Sequence, residues 1–81
     1  MSNPLHPPLY AAEQAAEFEK RFTYHSPKAD QPARYQELRE AAKSFALLIA
    51  KNSPQSREQS LALTNLEQAC FWANAAIARN E

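Results

Sequence analysis

The sequence predicts an all-α fold, in which a short first helix is followed by two longer helices that form an antiparallel hairpin. Three observations support this prediction. The 81 residues include no glycine, and the stretches between prolines are rich in Ala, Glu, Gln, Leu, Lys and Arg, which are strong helix formers. Six prolines divide the chain into pieces. Apolar residues recur at spacings of three and four, which is the period of one helix face.

The first helix is predicted over residues 9–21, after an extended arm over residues 1–8. Three of the prolines stand in this arm, and both prolines and the residues that precede them disfavour helix. Lys20 and Arg21 suit the last turn, because cations interact favourably with the negative end of the helix dipole. The bulky residues 22–27 that follow, ending in a proline, indicate a loop.

The second helix is predicted over residues 31–51, with Asp30 as its N-cap and Pro32 in its first turn. Its apolar residues form one stripe, made of Tyr35, Leu38, Ala42, Phe45, Leu48 and Ile49. A short connection follows, and both Ser53 and Ser56 are candidates for the cap of the next helix. Because the connection is short and the two helices are similar in length, they are predicted to pack antiparallel.

The third helix is predicted over residues 56–79, and its apolar residues cover most of its circumference. One stripe consists of Leu61, Leu63, Leu66, Cys70, Ala73 and Ile77. Further alanines, together with Phe71 and Trp72, extend the apolar surface around the helix. A helix of this kind is normally buried on most sides, which one partner helix cannot achieve. Residues 1–81 are therefore predicted to form one helical domain that assembles as a homo-oligomer.

Charge and composition make several classes of function unfavourable. Nine basic residues balance nine acidic ones, so the chain is a poor candidate for binding DNA or RNA polymers. One cysteine and two histidines are too few for a conventional zinc site, and no glycine-rich loop exists to bind phosphates. No run is apolar enough to span a membrane, and the N-terminus does not resemble a signal peptide. We expect an intracellular, non-enzymatic protein without a cofactor or metal.

The segment 20–25 is the densest group of candidate functional residues. It combines two cations with aromatic rings, a hydroxyl and an imidazole, in the residues Lys20, Arg21, Phe22, Thr23, Tyr24 and His25. Cations suit phosphates, and aromatic faces suit bases. The same residues also fit a structural role, in which the rings fill a gap between helices and the cations cap a dipole. Composition alone leaves both interpretations open.

Three isolated residues complete the candidate set. Tyr10 could stack on a base or anchor the N-terminal arm. Arg57 lies in the first turn of the third helix, where a cation is electrostatically unfavourable unless an anion is nearby. Asn74 lies in an apolar stretch and needs hydrogen-bond partners if it is buried. The last three residues, 79–81, are interpreted as a solvated end.

Several stretches together resemble a known family. They are FTYHSP at residues 22–27, Gln31 with Arg34-Tyr35 and Arg39, Ser56-Arg57-Glu58, and WANAAIAR at residues 72–79. This pattern resembles the helical-hairpin domain of phage proteins that sequester cyclic nucleotide signals. One branch is the anti-CBASS sponge, which binds cyclic dinucleotides and trinucleotides, and a related branch inhibits Thoeris defence. The short alanine-rich first helix is more similar to the anti-CBASS branch.

The resemblance implies sequestration without cleavage, in the host bacterial cytoplasm during phage infection. Family members form compact oligomers, often hexamers, with ligand pockets between subunits. The implied ligands are cyclic dinucleotides such as cyclic GMP-AMP, together with cyclic trinucleotides. By this resemblance Tyr10 supplies a stacking ring, Arg21 contacts a phosphate and Thr23 hydrogen-bonds the ligand. Arg57 is the cation of a second, trinucleotide-type pocket. The full set of expected ligand-binding residues is Tyr10, Arg21, Thr23, Tyr24, His25, Arg57 and Asn74.

Two other functions remain as alternatives. The chain could be a structural helical oligomer or interaction module that binds a protein through the surface of Phe71 and Trp72. It could also be a cyclic-nucleotide hydrolase, although the missing metal ligands disfavour this reading.

Overall fold

The computed structural model describes residues 11–81 and folds them into three α-helices, with no strand in this part of the chain. Helix α1 spans Ala12–Phe22, α2 spans Gln31–Asn52 and α3 spans Arg57–Asn80. The predicted all-α class is confirmed for these residues. The predicted extended arm, residues 1–8, and the first two residues of the predicted first helix lie outside the described residues.

Helix α1 begins later than predicted and ends one residue later. Ala11 is extended, with φ −81° and ψ 163°, so the prediction of helix at this residue is wrong. The Ala11 carbonyl instead accepts the amide hydrogens of Gln14 and Ala15, each at 3.0 Å, and no side chain caps the helix. Propensity predicts that these alanines favour helix, but it does not determine at which alanine the helix starts.

Helix α2 begins at Gln31 as predicted, but the side chain of Asp30 does not cap it. The Lys28 amide donates to Gln31 Oε1 at 3.1 Å, and the Gln31 amide donates back to the Lys28 carbonyl at 2.9 Å. This reciprocal turn places Ala29 at φ 52°, in the left-handed region that glycine would adopt more easily. The Asp30 carboxylate is held instead by Arg34, whose Nη2 donates to Oδ1 at 3.2 Å.

The connection between α2 and α3 uses both candidate serines, each in a different role. Ser56 is the cap of α3, because its Oγ accepts the Gln59 amide hydrogen at 3.1 Å. Ser53 ends α2, where its amide donates to the Ile49 carbonyl at 3.0 Å. The Gln59 side chain joins the two ends by donating to the Ser53 carbonyl at 2.8 Å. The turn therefore has its backbone groups satisfied by neighbouring side chains.

Helices α2 and α3 pack against each other, and their half-buried residues recur at spacings of three and four. These residues are Arg34, Tyr35, Leu38, Ala42, Ala46 and Ile49 on α2, and Gln59, Leu63, Leu66, Cys70, Ala73 and Ile77 on α3. Three residues of the predicted stripes are exposed instead: Phe45 by 55%, Leu48 by 56% and Leu61 by 46%. Phe45 and Leu48 flank the contact row at one side. Leu61 lies two residues from Gln59 and Leu63, on the far side of α3.

No apolar side chain is fully buried within residues 11–81. The one buried residue of this part is Gln31, which is 4% exposed. Large apolar side chains are instead more than half exposed, namely Phe22, Tyr24, Phe45, Leu47, Leu48, Phe71 and Trp72. The radius of gyration is 18.9 Å, whereas a compact domain of this length has about 12 Å. Exposed apolar surface on this scale is typical of an interaction surface.

The start of α2 and the residue after α3 are joined by an ion pair. Arg34 binds the Glu81 carboxylate with both terminal nitrogens, and its Nη1 lies 2.8 Å from Oε2. Gln31 Nε2 donates to Glu81 Oε1 at 3.1 Å, and Lys28 Nζ donates to the Glu81 carbonyl at 3.3 Å. Glu81 is exposed, as a solvated end would be, but these contacts tie it to the start of α2. The hydrogen bonds from Arg34 and then Gln31 lower the pKa of the Glu81 carboxyl to about 2.

This lowered pKa predicts a dependence of stability on pH. The pKa of Glu81 falls from 4.5 to about 2 on folding. The ionised carboxylate therefore stabilises the folded state fully above pH 4.5, and this stabilisation is lost as the pH falls towards 2. The difference in melting temperature between wild type and Glu81→Gln should therefore be largest near pH 7 and should close near pH 2. Circular dichroism at several pH values measures this difference.

The matched control is Glu37→Gln, an exposed α2 carboxylate with no hydrogen bond to any described residue. The difference in melting temperature between Glu37→Gln and wild type should change little over the same pH range. A Glu81→Gln difference that did not vary with pH would contradict the role assigned to this ion pair.

Candidate functional site

A cavity of about 580 Å³ lies between the last turns of α1 and the C-terminal part of α3. We call it the α1–α3 cavity. It is lined by Glu17, Lys20, Arg21 and Phe22 on α1 and by Trp72, Ala75, Ala76, Arg79 and Asn80 on α3. Its volume is within the range typical of small-molecule sites.

Helical spacing explains why these residues converge. Glu17, Lys20 and Arg21 are three and four residues apart, which places them on one face of α1. On α3, Trp72, Ala76 and Arg79 share a face in the same way. The alanines are small, so the space between the longer side chains stays open. The Lys20 ammonium donates to Asn80 Oδ1 at 3.3 Å and links the two helices across this space.

The α1–α3 cavity is predominantly cationic. Three of its side chains are positively charged, Lys20, Arg21 and Arg79, against one carboxylate, Glu17. Glu17 is shared between two of these cations: its Oε1 lies 3.0 Å from Arg21 Nε and its Oε2 lies 3.8 Å from Lys20 Nζ. Because these pairs are solvent-exposed, each is weak enough for an anionic ligand to replace. The arrangement suits a ligand that carries phosphate groups.

Two aromatic rings lie beside these cations. Trp72 is 65% exposed and Phe22 is 83% exposed, although both line the cavity. The Arg79 guanidinium carbon lies 6.0 Å from the Trp72 ring centroid, at the outer limit of a cation–π contact. Exposed rings next to cations are the combination that binds bases and phosphates together.

A second cavity of about 420 Å³ lies where the loop after α1 meets α2 and α3, and we call it the loop cavity. It is lined by Tyr24, His25, Pro27, Tyr35, Arg39, Asn74, Ala75, Ala78 and Arg79. Ala75 and Arg79 line both cavities. Arg79 therefore stands between them and can contact a ligand from either side.

His25 fixes the loop against the end of α1. Its Nε2 lies 2.7 Å from the Lys20 carbonyl oxygen. A carbonyl can only accept, so Nε2 carries the hydrogen, and in the neutral ring Nδ1 is left as an acceptor. This bond satisfies one of the free carbonyls in the last turn of α1. His25 thus holds the neighbouring Tyr24 ring, which is 80% exposed, at the loop cavity.

Asn74 has an unsatisfied acceptor. It is half-buried on α3, and its Oδ1 is shielded from solvent without a hydrogen-bond donor among the described residues. The sequence predicts that Asn74 needs hydrogen-bond partners if it is buried, and the structure shows that its Oδ1 atom lacks one among the described residues. A buried polar atom without a partner destabilises the protein, so a ligand or a second copy that donates to it is favoured.

The six predicted ligand-binding residues that the structure describes fall into four groups. Arg21 lines the α1–α3 cavity, whereas Tyr24, His25 and Asn74 line the loop cavity. Thr23 lines neither of these two cavities, and its hydroxyl donates to Glu19 Oε1 at 3.1 Å. Tyr10 lies outside the described residues.

Arg57 forms the last group, because it lies far from both cavities. It is the first residue of α3, 22 residues before Arg79, which corresponds to about 33 Å along the helix. It is exposed and has no ion pair with any residue in 11–81, Glu58 included. The unfavourable position of this cation is therefore not compensated by an anion within the described part of the chain.

The expected ligand-binding set did not include Lys20, Phe22, Trp72 or Arg79, although Lys20 and Phe22 belong to the candidate segment 20–25. All four line the α1–α3 cavity. Of the residues interpreted as a solvated end, Asn80 is exposed and Arg79 is half-buried, and both line this cavity as well. The sequence shows that Trp72 and Arg79 share one face of the third helix. It does not show that α1 approaches this face, because that approach depends on contacts between residues far apart in sequence.

Residues 11–81 contain neither a cluster of metal ligands nor a helix that could span a membrane. From residue 11 onward, no three His, Cys, Asp or Glu side chains come together as metal ligands. None of the helices described here has both the length and the apolar character that crossing a membrane requires.

Comparison with known proteins gives one match. The model of the family described as Acb2/Tad1, hairpin domain, matches residues 14–78, which include nearly all of α1, all of α2 and most of α3. No curated protein gives a significant match. No solved structure gives one either.

Proposed function

The chain belongs to the Acb2/Tad1 family of anti-CBASS and anti-Thoeris sponges, and we propose that it sequesters cyclic oligonucleotide messengers of bacterial CBASS defence. The proposed ligands are cyclic dinucleotides such as cyclic GMP-AMP, together with cyclic trinucleotides. Binding lowers the free messenger concentration and keeps the defence effector inactive, without cleavage of the ligand. The proposed place of action is the cytoplasm of the host bacterium during phage infection.

The observation that carries this proposal is the composition of the α1–α3 cavity. Lys20, Arg21 and Arg79 provide charge for phosphates, and Trp72 provides an exposed ring for a base. Cyclic dinucleotides contain two phosphates and two bases in a compact ring, so they require both kinds of contact within a short distance. A structural helix pair has no need for three cations around an open cavity.

We further propose that copies of the chain assemble, with α2 and α3 as an antiparallel hairpin in each copy. The apolar side chains left exposed on this pair, Phe45, Leu47, Leu48 and Phe71, would be covered by neighbouring copies. A hexamer is the expected size, by resemblance to the family. A cavity on a two-fold axis presents each cation twice, which explains how a chain of zero net charge can bind a dianion.

Further residues are proposed for the remaining contacts. Tyr10 would supply a stacking ring, and Thr23 would exchange its bond with Glu19 for one to the ligand. Arg57 would serve a separate trinucleotide pocket, because about 33 Å of helix separates it from Arg79. Arg57 is also exposed and has no ion pair with any described residue, so its charge is available to a ligand. Dinucleotides and trinucleotides would then bind at opposite ends of α3.

The alternative function is a protein-interaction module. It is favoured by one observation, the adjacent exposed side chains Phe71 and Trp72, at 61% and 65%. Aromatic residues are enriched at protein interfaces. Trp72 also lines the cationic cavity, which this alternative leaves unexplained.

Native mass spectrometry with a mixture of cyclic di- and trinucleotides tests the proposed function directly. We expect ligand-bound oligomers with a fixed ligand-to-subunit ratio, and dissociation constants below 1 μM, which correspond to more than about 8 kcal/mol. Ligand released by heat denaturation should be chemically intact. Conversion of the ligand would indicate an enzyme, and absence of binding across the whole panel would favour the interaction module.

Arg21→Ala should weaken cyclic dinucleotide binding by about tenfold, because it removes one charge-assisted hydrogen bond to a phosphate. The oligomer should keep its mass, since Arg21 is exposed. Calorimetry measures the affinity, and native mass spectrometry measures the assembly. Lys51→Ala, which removes a charge at the far end of α2, is the control and should bind as wild type does. Unchanged affinity in Arg21→Ala would remove Arg21 from the site.

Glu17→Gln should have the opposite effect and tighten dinucleotide binding by about threefold. Glu17 occupies Arg21 and Lys20 in the free protein, and a phosphate must displace it. Glu13→Gln is the matched control, because it removes the same charge from the same helix, is exposed and lines neither cavity. An equal gain in both variants would show only a general charge effect. The gain should also shrink when Arg21 is already replaced by alanine, because only the pair with Lys20 is then left to displace.

A further inference from the structure

We propose that the loop cavity is a base-reading pocket in which Asn74 recognises adenine. This inference rests on the proposed function and adds a base preference to it. Three features of the described residues support it: an unsatisfied amide oxygen, two tyrosine side chains at the cavity and a cation shared with the α1–α3 cavity.

The unsatisfied amide is the first feature. The Asn74 Oδ1 position is shielded from solvent and has no hydrogen-bond partner among the described residues. An asparagine amide carries an acceptor and a donor side by side. Adenine presents the complementary pair on one edge, where its N6 amino group donates and its N7 accepts. Once a rotation of the Asn74 side chain turns the shielded Oδ1 towards the cavity, one adenine can therefore satisfy both atoms of this amide.

The same edge explains why guanine is a poorer match. Guanine presents two acceptors there, O6 and N7, and the single amide of Asn74 cannot donate to both in the same bidentate geometry. A base without the N6 amino group leaves Oδ1 unsatisfied, as it is in the free protein. A buried acceptor without a donor costs a complex the full desolvation penalty of that atom. This penalty is larger than the average net contribution of one hydrogen bond.

The surroundings of Asn74 suit a flat heterocycle. Tyr24 is 80% exposed and Tyr35 is half-buried, and both rings line the same cavity. Ala75 and Ala78 provide small apolar side chains on α3. The cavity volume of about 420 Å³ is within the range of small-ligand pockets. Aromatic rings stack on any base, so specificity must come from the polar group, which here is Asn74.

Arg79 connects this pocket with the phosphate-binding cations. It lines the loop cavity together with Asn74 and the α1–α3 cavity together with Arg21. A single ligand can therefore place a phosphate near Arg79 and Arg21 while one base enters the loop cavity. This geometry makes the base pocket part of the same ligand site.

Calorimetry with two cyclic dinucleotides tests the inference. The probes are cyclic di-AMP and cyclic di-inosine monophosphate, in which a carbonyl replaces the N6 amino group. Wild type should bind cyclic di-AMP about tenfold more tightly. Asn74→Ala should bind both with similar affinity, because the discriminating amide is absent.

Asn65→Ala provides the matched control on the same helix. The Asn65 amide donates to the Leu61 carbonyl at 2.9 Å, and Asn65 lines neither of the two cavities. This variant should keep the wild-type preference. The wild-type comparison needs no substitution, so it tests the inference even if Asn74→Ala does not fold.

Each outcome separates the base preference from the proposed function. Equal wild-type affinity for the two probes, or a preference that survives in Asn74→Ala, would overturn the adenine assignment and leave sequestration intact. If no member of a wider cyclic di- and trinucleotide panel bound to wild type, the proposed function would be contradicted, and the base preference with it.

Discussion

The constraint on which the rest of this structure depends is that α2 and α3 cannot cover their own apolar surface. They bury a narrow row of side chains against each other, while Phe45, Leu48 and Phe71 stay more than half exposed. Polar contacts join the two helices at both ends, in the Gln59 turn and in the Arg34–Glu81 ion pair, but these contacts are only partly buried. Each contact of this kind contributes modestly to stability. We propose that apolar contacts with other copies of the chain supply the missing stabilisation.

The same constraint explains where the cavities lie. Helix α1 and the loop after it do not pack into a core, so open space remains between them and the last turns of α3. The alanines of α3 keep this space open, and long side chains surround it. Arg79 lies between the two cavities, next to Trp72 on one side and Asn74 on the other. The proposed binding of an anion with flat bases would therefore follow from incomplete packing with charged and aromatic residues at the edge.

Local features could be predicted from the sequence, and features that depend on distant contacts could not. Helix periodicity and cap chemistry predicted the all-α class and gave Ser56 as one of two candidate caps for the third helix. Asp30 stands at the N-cap position as predicted, but its side chain does not cap the helix, because Arg34 one turn later binds its carboxylate. Glu81 was taken for a solvated residue, since its partner lies 47 residues away. Arg21 was expected to contact a phosphate, and it lines a cationic cavity. The place of Arg79 in the same cavity depends on the approach of α1, which the sequence does not show.

Sedimentation velocity combined with circular dichroism, over a dilution series of the ligand-free protein, tests the central claim most directly. The account predicts a multiple of the single-chain mass at high concentration, and a loss of helix and of cooperative unfolding when dilution separates the copies. A single chain at all concentrations, with full helix content and a cooperative melting transition, would contradict it. That result would mean that the exposed apolar surface needs no partner.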